Sequence, residues 1–150
     1  MEPVLAVITS TVVGILVGVE FAVAFVINPI LMRLPAASSL AARADGGRML
    51  GRAMPFWYVG SLVLTIALAA VTWGTPAATP AVVAASLLAF SVIVSLVLLV
   101  PINNRSATWT PEDHPDDWRE QHQRWDRLHY ARVGVIIAAF VLVVVAATML

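Results

Sequence analysis

The chain contains no cysteine and no lysine. Without cysteine it can form no disulfide, offer no thiolate to a metal and supply no cysteine nucleophile. Charge is scarce: 12% of the 150 residues are charged, against about a quarter in soluble domains. The formal net charge is zero, so nothing marks a nucleic-acid partner or an electrostatic surface anchor. Alternation of period two is missing from the apolar stretches, although β-branched residues abound in them. What is present in excess is apolar side chain, 60% of the sequence against roughly half in soluble proteins.

That excess is gathered into four runs, at about residues 4–29, 55–74, 80–101 and 131–150. Lipid offers backbone amides no partners, so runs of this length predict helices. Four spans of about 20 residues leave little chain for a separate soluble domain. The expectation is an all-α fold, a four-transmembrane-helix bundle forming one integral membrane domain over residues 1–150. The polar segment 103–130 supplies a loop and an extension of the last helix into the cytoplasm. The first run does not read as a signal peptide, because it is too long and no positive residue precedes it. Gly74-Thr75-Pro76 breaks the second run from the third.

All nine basic residues are arginines. Arg33, Arg43, Arg48 and Arg52 follow the first span, and Arg105, Arg119, Arg124, Arg127 and Arg132 follow the third. The N-terminus and the turn near Gly74 carry none. The positive-inside rule then places both arginine-containing loops in the cytoplasm and both termini outside the cell membrane.

Glu20 is the only charged residue well inside a span. An intramembrane carboxylate costs roughly 2.5–3.5 kcal/mol on insertion scales, so it should face the bundle interior and have a partner. It lies about 24 Å from the start of its span at about 1.5 Å per residue. The same depth measured back along the antiparallel fourth helix falls near Gly134, within a turn of Arg132, with His129 just above. The bland reading of Glu20 is a structural ion pair or a carboxyl that stays protonated.

The run Trp118 to Arg132, WREQHQRWDRLHYAR, lacks glycine and proline and extends the fourth helix. His122, Asp126 and His129 fall within about a 60° arc of its wheel, bordered by Trp118, Trp125 and Arg132. Imidazole and carboxylate donors suit iron or copper, so His122, Asp126, His129 and Glu20 are the candidate metal ligands. The competing reading is an ordinary juxtamembrane helix with solvated charges and interfacial tryptophans. The residues leave open whether a metal is bound at all.

Pro101-Ile102-Asn103-Asn104 closes the third span, Asn28-Pro29 the first, and Pro55-Phe56-Trp57-Tyr58 opens the second on the same side. Each helix therefore brings a polar or aromatic group to one cytoplasmic mouth. A pocket there suits flat, partly apolar molecules. Asn103, Asn104, Trp118 and Trp125 are its candidate substrate-binding residues.

The pairing of Pro101-Ile102-Asn103-Asn104 with Arg124 to Arg132, RWDRLHYAR, resembles the anthrone-oxygenase-like family of small four-helix membrane proteins. So does a first helix ending in Asn-Pro before an arginine-containing loop. The motif residues that match are Asn103, Asn104, Trp125, His129 and Arg132; His122 and Asp126 are not tied to it. The resemblance implies an oxygen-dependent oxidation of monooxygenase type, acting on a polyketide-like secondary metabolite. Its partners would be that small molecule, molecular oxygen and the lipid bilayer, with a homo-oligomer left open.

Two mechanisms suit such a reaction. In one, His129 acts as a general base, Arg132 steadies the developing anion, and Asn103 and Asn104 hold substrate oxygens. In the other, His122, His129 and Asp126 or Glu20 bind iron or copper. The candidate catalytic residues are His129, Arg132 and Glu20, the last as a ligand, a salt-bridge partner of Arg132 or a proton store. Two readings of other classes compete: a small carrier using Glu20 as a proton relay, and a scaffold packed through Gly14 and Gly18.

Overall fold

The computed structural model describes residues 2–150. Four long helices follow one another: α1 Glu2–Arg33, α2 Ala36–Val71, α3 Ala78–Ser106 and α4 Trp118–Thr148. No strand occurs among the described residues. Each helix is long and apolar enough to cross a bilayer. Phe25, Phe56, Phe90 and Val141 are among the large apolar side chains left exposed around the bundle. Apolar exposure on that scale suits lipid, not water, and the chain is an integral membrane protein.

Each helix packs against the ones before and after it in sequence, and α1 packs against α4, closing an up-down-up-down bundle. Both termini and the tight turn at Gly74, whose φ is 85°, lie at one end. That end is filled by Ala6, Ala69, Ala77, Ala81, Ala84 and Ala146 around Leu68 and Val143, since small side chains let helices approach closely. Val13, Leu16, Leu88, Ile136 and Ala139 form the next layer, with Tyr58 at its upper edge. Of the two glycines in α1, Gly14 seats the Phe140 ring, which lies 3.3 Å from where a Cβ would stand, whereas Gly18 faces open space.

Three helices run further than the sequence predicts. Residues 36–54, expected as a loop, are helical and continuous with the second span; the segment is rich in alanine, leucine, methionine and arginine, all good helix formers. Asn28-Pro29 and Val100-Pro101 do not end α1 and α3. A proline removes one amide and crowds the carbonyl four residues back. Here a π-helical turn precedes each, Val23–Ile27 in α1 and Ser95–Leu99 in α3. The wider turn lets Asn28 N–H reach the Val23 carbonyl and Val100 N–H the Ser95 carbonyl, five residues back. Pro55 lies inside α2 with no π turn, leaving the Gly51 carbonyl without its usual amide.

Candidate active site

Above Tyr58 the core turns polar. Glu20 on α1, buried, accepts a hydrogen bond from Arg132 on α4 at 2.6 Å (Nη2 to Oε2). A second Arg132 nitrogen, Nη1, donates to Ser95 Oγ on α3 at 2.8 Å. Ser95 stands at the start of the π turn, and its hydroxyl donates a hydrogen bond to the Ser91 carbonyl at 2.7 Å. The Tyr58 ring lies beneath the guanidinium, 5.2 Å from its carbon. One arginine thus ties α1, α3 and α4 together over an aromatic floor given by α2.

Arg132 also fixes the state of His129. Its Nη2 lies 2.9 Å from His129 Nδ1, and a guanidinium can only donate. Nδ1 also lies 3.4 Å from Glu20 Oε2, but the shorter Arg132 contact makes it the acceptor, which puts the ring proton of neutral His129 on Nε2. The Trp125 indole stacks on the imidazole, centroids 4.7 Å apart, and holds the ring plane. His129 is 1% exposed, yet Nε2 has no partner among the described residues.

These residues line a cavity of about 590 Å³ to which all four helices contribute. Its walls are largely apolar, with Val23, Leu50, Met54, Val92 and Leu99 between two polar ends. Glu20, Tyr58, Ser95, His129 and Arg132 form the deep end; Asn103, Asn104, Arg48 and Trp125 lie nearer the mouth. His129 Nε2, Trp125 Nε1 and Arg132 Nε are all buried and unpaired among the described residues. Unpaired buried donors are costly, and a ligand with acceptor oxygens would satisfy them. At the mouth, Gly47 gives Asn103 its place: the amide oxygen sits 3.2 Å from where a Cβ would be.

Six of the residues singled out from sequence therefore meet at one cavity: Glu20, Asn103, Asn104, Trp125, His129 and Arg132. Three do not line it. Asp126 is held by Arg43 of α2 through two bonds of 2.9 and 3.1 Å. His122 is sandwiched between Trp109 and Trp118, at 5.2 and 5.7 Å between ring centroids. Trp118 packs against that imidazole and against Arg119, away from the cavity. No group of three histidine or carboxylate side chains among the described residues is placed to hold a metal ion. The four candidate ligands do not gather into one set, because each carboxylate already faces an arginine. Ser95, Arg48 and Gly47 join the site without having been singled out from sequence as site residues, and Tyr58, expected among the aromatics at the mouth, lies at the deep end.

The class defined by these features is a four-helix integral membrane protein with a largely apolar cavity ending in a buried Glu-Arg-His cluster. Residues 48–142 match the family described as anthrone oxygenase, and with well over half of the chain covered, the chain belongs to that family. Membership supports an oxygenase-type role, with a small-molecule substrate and oxygen, and agrees with the resemblance carried by Asn103, Asn104, Trp125, His129 and Arg132. Glu20 lies before the matched segment. No curated protein and no solved structure matches the chain.

Proposed function

We propose that the cavity is the active site of an oxygenase that uses its own side chains, without a metal, to oxidise a fused-ring aromatic ketone of the anthrone type. The observation that carries this reading is the Arg132 to His129 Nδ1 contact. With the proton on Nε2, His129 is a hydrogen-bond donor to a substrate carbonyl and not a free base. The base is Glu20, whose contacts with Arg132 and His129 both use Oε2, so that Oε1 is the oxygen that takes the proton. Glu20 takes a proton from the substrate methylene, and the electron pair moves to the ketone oxygen held by His129 Nε2–H.

Protonating Glu20 frees the positive charge of Arg132 for the new anion, so the net charge of the buried cluster stays constant. Such preorganised donors are commonly the largest source of rate enhancement. The carbanion adds to oxygen, and Glu20 returns its proton to the peroxide. Loss of the second C–H proton and cleavage of the O–O bond give the quinone carbonyl and one water. Asn103 and Asn104 orient oxygens on the far edge of the substrate. The end bearing Arg48, Arg105 and the loop before α4 faces the cytoplasm, following the arginine distribution.

Oxygen consumption by detergent-purified protein supplied with anthrone tests the reaction, with elemental analysis on the same sample. Turnover without stoichiometric metal, lost in Glu20→Gln, is the expected result. About one iron or copper per chain, lost together with activity in His129→Ala, would overturn the metal-free mechanism.

A further inference from the structure

The cavity has a side as well as a mouth. α2 and α3 pack closely along their hairpin, up to the layer where Tyr58 and Leu88 share a core cluster. They meet again at the mouth, where Gly47 faces Asn103. Between those two closures they make few contacts, and the irregular turns of both helices fall in that interval: Pro55 of α2 and the π turn Ser95–Leu99 of α3. A π turn widens its helix and displaces the flanking residues; a proline leaves a carbonyl unpaired and bends its own.

The residues at this gap look both ways. Val59 and Leu96 are 57% and 62% exposed, yet both line the cavity. Val59 projects from α2 on the side shared with Pro55, and Leu96 from the π turn of α3 opposite. Both belong to stretches apolar enough to sit within the bilayer. We propose that this gap is a lateral window through which a membrane-dissolved aromatic ligand passes from the hydrocarbon phase into the cavity, with Val59 and Leu96 as its jambs. This rests on the reading of the cavity as a substrate site, and it explains why a site with charged groups at its floor has mostly apolar walls. A ligand arriving from lipid crosses no aqueous boundary, and the ring system meets Met54 and Leu99 before its oxygens reach His129 and Arg132.

The absence of cysteine makes the test direct. Leu99→Cys places a single thiol on the cavity wall, in a residue only 2% exposed. In liposomes it is labelled with pyrenylmaleimide, which dissolves in the bilayer, or with an anionic methanethiosulfonate confined to water. Adding Val59→Trp and Leu96→Trp, the two residues that face both lipid and cavity at the gap, should slow pyrenylmaleimide labelling at least about tenfold. Labelling by the anionic reagent should keep its rate, which certifies that the cavity has not collapsed. Pyrenylmaleimide labelling unaffected by the two tryptophans overturns the window.

Steady-state oxidation of anthrone by the plugged protein separates the two readings. A raised KM with unchanged kcat supports the window in turnover. Slowed labelling in a protein whose unplugged form does not oxidise anthrone leaves the window standing and removes the oxygenase reading instead.

Discussion

Two buried ion pairs, Glu20–Arg132 and Arg43–Asp126, lie on the same side of the bundle, and they are built differently. Arg43 and Asp126 form a closed fork: two nitrogens on two oxygens, 2.9 and 3.1 Å, away from the cavity. Glu20 meets Arg132 through one oxygen, while the arginine is shared with His129 and Ser95 and borders a cavity. The closed pair fastens the extension of α2 beyond its apolar span to that of α4. The open pair leaves donors and an oxygen uncommitted. A buried charge pair can thus serve as a fastening or as a reactive group, and access to the cavity tells them apart, since each arginine leaves its Nε unpaired among the described residues.

Breaking the open pair should have the largest effect on turnover. Glu20→Gln keeps shape and hydrogen bonding to Arg132 but cannot take a proton, and anthrone-dependent oxygen uptake should fall at least about 1000-fold if it is the base. A fall below about tenfold would move that role elsewhere. His129→Ala removes one donor to the substrate oxygen and should cost about 100-fold in kcat or more. His129→Gln, whose amide nitrogen can stand near the position of Nε2, should recover part of that loss; equal loss in both variants would mark His129 as the base.

The closed pair predicts the opposite signature. Arg43→Ala should destabilise the protein by about 3–5 kcal/mol, because it strands the Asp126 charge in a buried site. Denaturation in detergent would register this, while kcat per folded molecule should hold. The mouth should respond more gently: Asn103→Ala should raise KM about tenfold, the scale of one lost hydrogen bond to a bound ligand. Gly47→Ala, which pushes the Asn103 amide by a few tenths of an ångström, should raise it by less.

Much of this was legible from the chain alone. Uninterrupted apolar runs dictate four helices because no other backbone arrangement survives in lipid. A constant rise per residue was enough to bring Glu20 and Arg132 to one depth, and they are in contact at 2.6 Å. The wheel also put His122, Asp126 and His129 on one stripe of α4, and all three are buried. What the wheel could not contain was the neighbour each one meets. Asp126 meets Arg43, His122 meets two tryptophans, and only His129 reaches the cavity. These partners come from other helices, at separations that periodicity within α4 does not encode. Ser95 looked like an ordinary small residue in an apolar run, since its role depends on a π turn whose sole trace in sequence is Pro101.

That π turn has a genetic corollary. A turn closed over five residues holds one residue more than the α-helical turn it replaces, so Ser95–Leu99 amounts to a one-residue insertion retained inside α3. Everything after it is rotated by about 100° relative to an uninterrupted helix. Asn103 faces Gly47 across the cavity mouth only because that extra residue is there. Deleting codon 97 or 98, whose residues do not line the cavity, would leave every side chain of the site in the sequence and turn the mouth amides away from it. In this bundle the reading frame of one helix, counted in residues per turn, acts as a determinant of the site alongside the side chains themselves.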